Sequence, residues 1–178
     1  MSTMSDTPMT LETALRTAIE HEHKVRDHYA KGAAIIADTQ GRRVFETLAR
    51  EEQGHCDYLT SRLDEWSKTG AIQVRELTTI LPNADWIRQA GAKAARDPQA
   101  TLAVQGELEL LKVALELEHA SSAFYRALVD TLGATDRLMF ARFLEIENAH
   151  LAIVQAEIDA LAGHGHWFDI MEFSLEAQ

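Results

Sequence analysis

The chain has 178 residues, a length that a single domain fills, and its 46% hydrophobic content is enough for a substantial core. Only three prolines and nine glycines punctuate it, which favours long helices over a strand-rich fold with many turns. A formal net charge of −11 argues against a nucleic-acid partner, which requires clustered Lys and Arg, and leaves room for bound cations to offset part of the acidity.

The stretch Met1 to Thr10 shows no basic segment followed by an apolar one, and no window reaches the roughly 18 apolar residues of a membrane span. A cytoplasmic protein with no membrane partner is therefore expected. From about Thr10 to Ile36 the stripe Leu11, Leu15, Ile19, Glu22, Val25, Tyr29, Ala33, Ile36 steps by threes and fours, as one face of a helix does. After residues 38–41 a second helix is predicted to about Ser67, with stripe Val44, Leu48, Glu52, His55, Leu59, Leu63, Trp66. Cys56 is the single cysteine, so no intrachain disulfide or thiolate cluster is available, which fits a reducing compartment. It lies about 100° around the helix from His55 and is read as a small buried residue rather than a ligand.

Residues 69–101 carry Gly70, Pro82, Asn83 and Asp97-Pro98 and read as a connection holding at most a short helix near Asp85 to Ala95. A third helix, about Thr101 to Leu132, presents Leu108, Leu111, Leu115, Glu118, Ser122, Tyr125 and Val129, and Gly133 ends it. A fourth, about Asp136 to Leu161, presents Phe140, Phe143, Glu147, His150, Val154, Ile158 and Leu161, with stops at Gly163 and Gly165. The tail, 163–178, is aromatic; Trp167, Phe168, Ile170, Met171 and Phe173 suit either a neighbouring subunit in a homodimer or the chain's own bundle. Short connections within each helix pair and a long one between pairs predict an all-α four-helix bundle. It is one domain over 1–178, two αα-hairpins joined by the 69–101 crossover.

The two halves repeat. Ala18 to Tyr29 aligns in frame with Ala114 to Tyr125 at five identical positions, an offset of 96, and Glu52-x-x-His55 recurs as Glu147-x-x-His150 at an offset of 95. Glu22, Glu52, Glu118 and Glu147 all stand where the helical period calls for apolar residues, and burying them unpaired would cost several kcal/mol each. Two divalent cations would balance the four negative charges, and His55 and His150 add neutral ligands. In Glu-x-x-His the two side chains share one helix face a turn apart, so one metal can meet both. Glu51, Glu116 and Glu145 lie off these faces, and His21, His23, His28 and His119 read as surface histidines. His164 and His166 read as loop or tail.

With one Glu from each of two helices and Glu-x-x-His from each of the other two, and with Tyr29 and Tyr125 each seven positions beyond Glu22 and Glu118, the chain resembles a stand-alone rubrerythrin-type diiron domain of the ferritin-like superfamily. The resemblance covers all four helices. It implies a ferritin-like bundle binding two Fe ions, with Mn or Zn as alternatives, through Glu22, Glu52, His55, Glu118, Glu147 and His150. It leaves open which carboxylates bridge and which are terminal. Tyr29 and Tyr125 would hold ligand carboxylates in orientation, or serve merely as core aromatics. The implied activity is that of an oxidoreductase reacting with hydrogen peroxide or dioxygen; iron binding or ferroxidase-type handling without sustained turnover is the alternative. Lacking paired C-x-x-C motifs, the chain would take electrons from an external donor such as a rubredoxin-like or flavin protein. It departs from the family at Ser121, where rubrerythrins carry an extra carboxylate; Val25 occupies the matching first-helix position.

Overall fold

The computed structural model describes residues 9–94 and 104–168. These form α1 (Leu11–Ile35), α2 (Thr39–Thr69), α3 (Ala84–Ala94), α4 (Val104–Thr131) and α5 (Ala134–His164), with no strand among the described residues. No helix among them is long and apolar enough to cross a membrane.

Local chemistry sets the helix ends. The Thr10 hydroxyl accepts the Thr13 N–H at the start of α1, and the Asp38 carboxylate accepts the N–H groups of Gln40 and Gly41 at the start of α2. Gly70 (φ 71°) and Gly165 (φ 73°) close α2 and α5 in the left-handed conformation, where their N–H groups bond Trp66 and Leu161 carbonyls. The expected stop at Gly163 is corrected: α5 runs through it to His164, because the left-handed residue that ends the hydrogen-bond ladder is Gly165. The short crossover helix matches expectation within a residue at each end. The expected α4 start at Thr101, the Asp97-Pro98 turn, and Ile170, Met171 and Phe173 lie outside the described residues, as does the side chain of His164.

Helix α1 packs mainly on α2 and α4 on α5, with α1 also against α4 and α3 against α5. The core falls into two apolar clusters. One contains Val25, Tyr29, Val44, Leu48, Leu111, Ala114, Ile153 and Leu161; the other contains Leu15, Ala18, Leu59, Tyr125, Leu128, Phe140 and Phe143. On every long helix the predicted ligands fall between the two. Residues before Glu22 on α1, after His55 on α2, after Glu118 on α4 and before Glu147 on α5 lie in the second cluster. Hence α1 and α5 run one way and α2 and α4 the other. Because α2 ends near the second cluster, where Leu63 and Trp66 pack, and α4 begins near the first, where Leu108 and Leu110 pack, the connection between them traverses the bundle's length.

Described parts of that crossover are tied down on the way. Arg62 Nη1 and the Tyr58 hydroxyl donate to the carbonyls of Gln73 and Arg75, both at 2.8 Å, and Arg142 Nε donates to Leu77 at 3.1 Å. Leu77 belongs to the second cluster and Leu81, Ile87 and Ala90 to the first, so the crossover passes the level of the ligands near Thr79. Of the tail, Trp167 and Phe168 are buried against their own chain: Trp167 packs edge-on to Phe45, and its Nε1–H donates to Glu107 at 2.9 Å.

Two glycines test the helix packing in opposite directions. A Cβ on Gly32 would stand 2.4 Å from the Phe45 ring, which is fully buried, whereas one on Gly54 meets nothing within 4 Å. Gly32→Ala is expected to destabilise by about 1–3 kcal/mol through overpacking. Gly54→Ala should stabilise by about 0.5–1 kcal/mol through helix propensity. Denaturant midpoints of the two variants read this directly; equal shifts would contradict the α1–α2 contact.

Candidate metal centre

The six residues singled out in the sequence converge in one layer, each no more than 1% exposed. Their clustering follows from the periodicities: each lies on its helix's core stripe at the same height, and the helix pairs bring the stripes face to face. They divide into two groups of four in which one ligand atom from each residue lies within 4.8 Å of the others: Glu22, Glu52, His55 and Glu147, and then Glu52, Glu118, Glu147 and His150. Glu52 and Glu147 belong to both. This sharing puts Glu52 and Glu147 within reach of both groups and Glu22 and Glu118 of one each, a distinction that the sequence leaves open.

Both imidazoles turn Nδ1 toward the carboxylates. His55 Nδ1 lies 3.0 Å from Glu22 Oε2, 3.1 Å from Glu52 Oε2 and 3.4 Å from Glu147 Oε1. His150 Nδ1 lies 2.7 Å from Glu52 Oε1 and 3.7 Å from Glu118 Oε1. The shortest of these, His150 to Glu52, is close in distance but lacks hydrogen-bond alignment: neither Glu52 Oε1 nor His150 Nδ1 has a hydrogen-bond partner. Glu118 Oε2 and both Glu147 oxygens are buried without one as well. Buried donors and acceptors are normally satisfied. Lone pairs that converge at contact distance without hydrogen-bond alignment fit a cation as their missing partner, and the oxygen and nitrogen donor set suits Fe, Mn or Zn. The six residues form buried groups that could hold a metal ion.

The tyrosines make their contacts crosswise. Tyr29 of α1 donates its hydroxyl to Glu118 Oε1 of α4 at 2.5 Å, and Tyr125 of α4 donates to Glu22 Oε1 of α1. Glu22 and Glu118 therefore each have one oxygen held by the other half's tyrosine. Burial, reinforced by Glu118 for Tyr29 and by Glu22 for Tyr125, pushes both phenols well above their ordinary range, so both remain protonated donors.

Without cations the layer sorts its protons. Burial, with the charges of Glu147 and Glu22, pushes Glu52 well above the usual carboxylate range. Burial does the same to Glu118, aided by Glu147 and Glu52 against the pull of His150. For Glu22 burial is outweighed by hydrogen bonding and charge from His55, which hold it at about 2. His55 is raised well above 6.5, its burial outweighed by the charge of Glu52 and by its close contacts with Glu147, Glu22 and Glu52.

The remaining sequence readings fare unevenly. Cys56 is buried, and burial pushes its thiol up to about 12, in keeping with an inert small residue. His23 and His119 are exposed as expected, but His21 and His28 are half-buried: His21 stacks on Phe124 at 4.8 Å, and His28 Nε2 lies 2.9 Å from the Leu110 carbonyl. Ser121 and Ser122 are buried, with hydroxyls lacking a hydrogen-bond partner. Glu157 escaped the sequence reading. It is fully buried, and its Oε2 accepts the Phe168 N–H at 2.8 Å, so it holds the start of the tail. Its place three residues beyond Val154 on the α5 stripe was the available signal.

A scan against family models, a search of curated proteins and a search of solved structures each give no significant match.

These shifts set how metal-free stability should vary with pH. Glu52 and Glu118 titrate near 4.5 when unfolded and higher when folded, so above pH 4.5 the folded chain binds more protons and stability falls as pH rises. The His55 contribution is complete below 6.5 and is lost as pH climbs through its raised folded value. Glu22 acts oppositely, but only as pH falls from 4.5 toward about 2. Metal-free protein should therefore melt at progressively lower temperature from about pH 5 to pH 8. The gain on metal loading should grow over the same range, reaching about 2.7 kcal/mol per site when free metal is 100 times Kd. Thermal unfolding with chelator and with divalent metal checks this; a metal-free midpoint that rises with pH would contradict it.

Proposed function

We propose that the chain is a ferritin-like dimetal protein of the rubrerythrin type that binds two iron ions and acts as an oxidoreductase on hydrogen peroxide or dioxygen. The observation that carries the reading is the pair of four-residue ligand groups sharing Glu52 and Glu147. Oxygen and nitrogen donors with two histidines match iron, and bound iron supplies the redox chemistry that these side chains lack.

The chain's own residues take the supporting roles. Tyr29 and Tyr125 each hold one oxygen of a terminal carboxylate and leave the rest of that group free to turn toward a cation. The apolar clusters on either side keep bulk water from the layer, which strengthens every charge interaction within it. With one cysteine the chain holds no four-thiolate iron site, so electrons come from outside, from a rubredoxin-like or flavin protein. Purification without oxygen, metal analysis and steady-state peroxide consumption with such a donor test the reading. Two irons per chain with sustained turnover is the expected result. Stoichiometric iron oxidation without turnover would move the protein to iron handling, and a site filled by zinc would remove the redox role.

The sharing of ligands makes a sharper prediction. His55→Ala and His150→Ala should each lose about one metal equivalent, since each histidine belongs to one group. Glu52→Ala and Glu147→Ala should each lose nearly two, since removing a shared carboxylate leaves both ions repelling one another less screened. Metal-to-protein ratios at matched free metal decide between them; full occupancy in all four variants would take these residues out of the site.

A further inference from the structure

Glu51 stands beside the ligand layer without belonging to either group of four. Its carboxylate accepts the Thr79 hydroxyl and the Ile80 N–H, the latter at 3.4 Å, at the point where the crossover passes the layer. One of its oxygens also forms a cluster with a ring nitrogen of His55 and one of His150, all within 4.8 Å of one another. The two imidazoles lie nearly parallel, planes 12° apart and centroids at 5.4 Å, so one carboxylate can face both.

Each ring already commits Nδ1 to the glutamates, and Nε2 of each is buried without a hydrogen-bond partner. An imidazole that gives one nitrogen to a metal carries its proton on the other, and that N–H requires an acceptor to fix the ring's orientation and raise its basicity. Among the described residues, Glu51 is the acid outside the six that clusters with both rings.

We infer that Glu51 is a positioning residue for both ligand histidines, accepting their Nε2–H groups directly or across one water, while Thr79 and Ile80 hold it in place. A third cation at the same spot is the competing arrangement. It would require each ring to give both nitrogens to metal, stripping the imidazole of its last proton and setting cations on either side of it. The internal repeat sharpens the inference. Position 146, which matches Glu51 at the offset of 95, is the buried Ile146, so one carboxylate from one half serves the ligands of both.

The inference rests on the dimetal reading, and the test separates the two. Wild type, Glu51→Gln, Glu51→Asp and Thr79→Val, each as the full chain, are loaded with Co(II) in the absence of oxygen. The readouts are metal affinity by chelator competition and the paramagnetically shifted, exchangeable imidazole N–H proton resonances. Wild type should bind two equivalents and show two such resonances. Glu51→Gln should keep its helical content and metal-free melting temperature, shift both resonances and speed their exchange, and weaken both sites about 10–100-fold. Glu51→Asp should restore part of the loss, and Thr79→Val should move both resonances in the same direction by less. Unchanged affinity and resonances in Glu51→Gln, a change confined to one histidine, or a third cobalt equivalent lost with Glu51 would each overturn the inference while leaving the dimetal site standing. A wild type that binds no cobalt would remove both.

Discussion

A carboxylate taken out of water without a partner costs several kcal/mol, and this chain places four of them in one dry layer. Around that layer the rest of the fold is arranged. The apolar residues of each long helix divide at the ligands into two clusters, which close the layer above and below. Tyr29 and Tyr125 each neutralise one lone pair, and His55 and His150 enter beside the glutamates. Several oxygens still find no donor. With protons alone, the layer can satisfy itself only by keeping Glu52 and Glu118 neutral and His55 charged. Cations would remove that compromise, because they would meet the carboxylates in their charged form and draw the layer together from its centre.

The duplicated hairpin gives this layer near-twofold symmetry in its ligands and crossed tyrosines, but its surroundings are not symmetric. Val25 lies on one half where the buried hydroxyl of Ser121 lies on the other, and Glu51 corresponds in the repeat to the apolar Ile146. Helix α3 packs against α5, while the segment before it bonds α2 through Tyr58 and Arg62 and α5 through Arg142, so the two halves are covered differently. Two positions with matching ligand types therefore sit in different dielectric and hydrogen-bonding environments. Cations bound at the two positions would therefore be held with unequal affinity.

Much of this was legible in the sequence for a physical reason: a charged residue on an apolar stripe is visible wherever the helical period is strong, as at Glu22, Glu52, Glu118 and Glu147. The all-helical class, the extent of α1 and the short crossover helix followed from periodicity and breakers, whereas α2 starts at Thr39, inside the stretch read as a break, because Asp38 caps it and Gly41 lies within the helix. What stayed hidden depends on geometry between helices. Whether Glu52 or Glu22 bridges depends on relative depth along partner helices, which no single stripe encodes. The crossing of Tyr29 to Glu118 and Tyr125 to Glu22 depends on α1 and α4 running oppositely. Gly163 misled because a glycine can sit inside a helix, and what ends α5 is a backbone angle two residues later. Glu157 was passed over because no second acidic or histidine residue at ligand spacing drew notice to it.

Burial also limits what can reach the layer. With the six ligands at most 1% exposed, a bulky organic substrate would need helices to separate, whereas a molecule of two to four atoms needs only side-chain motion to pass. The crossover passes this layer at Thr79 and Ile80 and is held there by side-chain bonds to Glu51, Tyr58, Arg62 and Arg142 and by the burial of Leu77 and Leu81 in the two apolar clusters. Moving it aside would break those bonds and expose both leucines to water, so the layer is closed on this side as well.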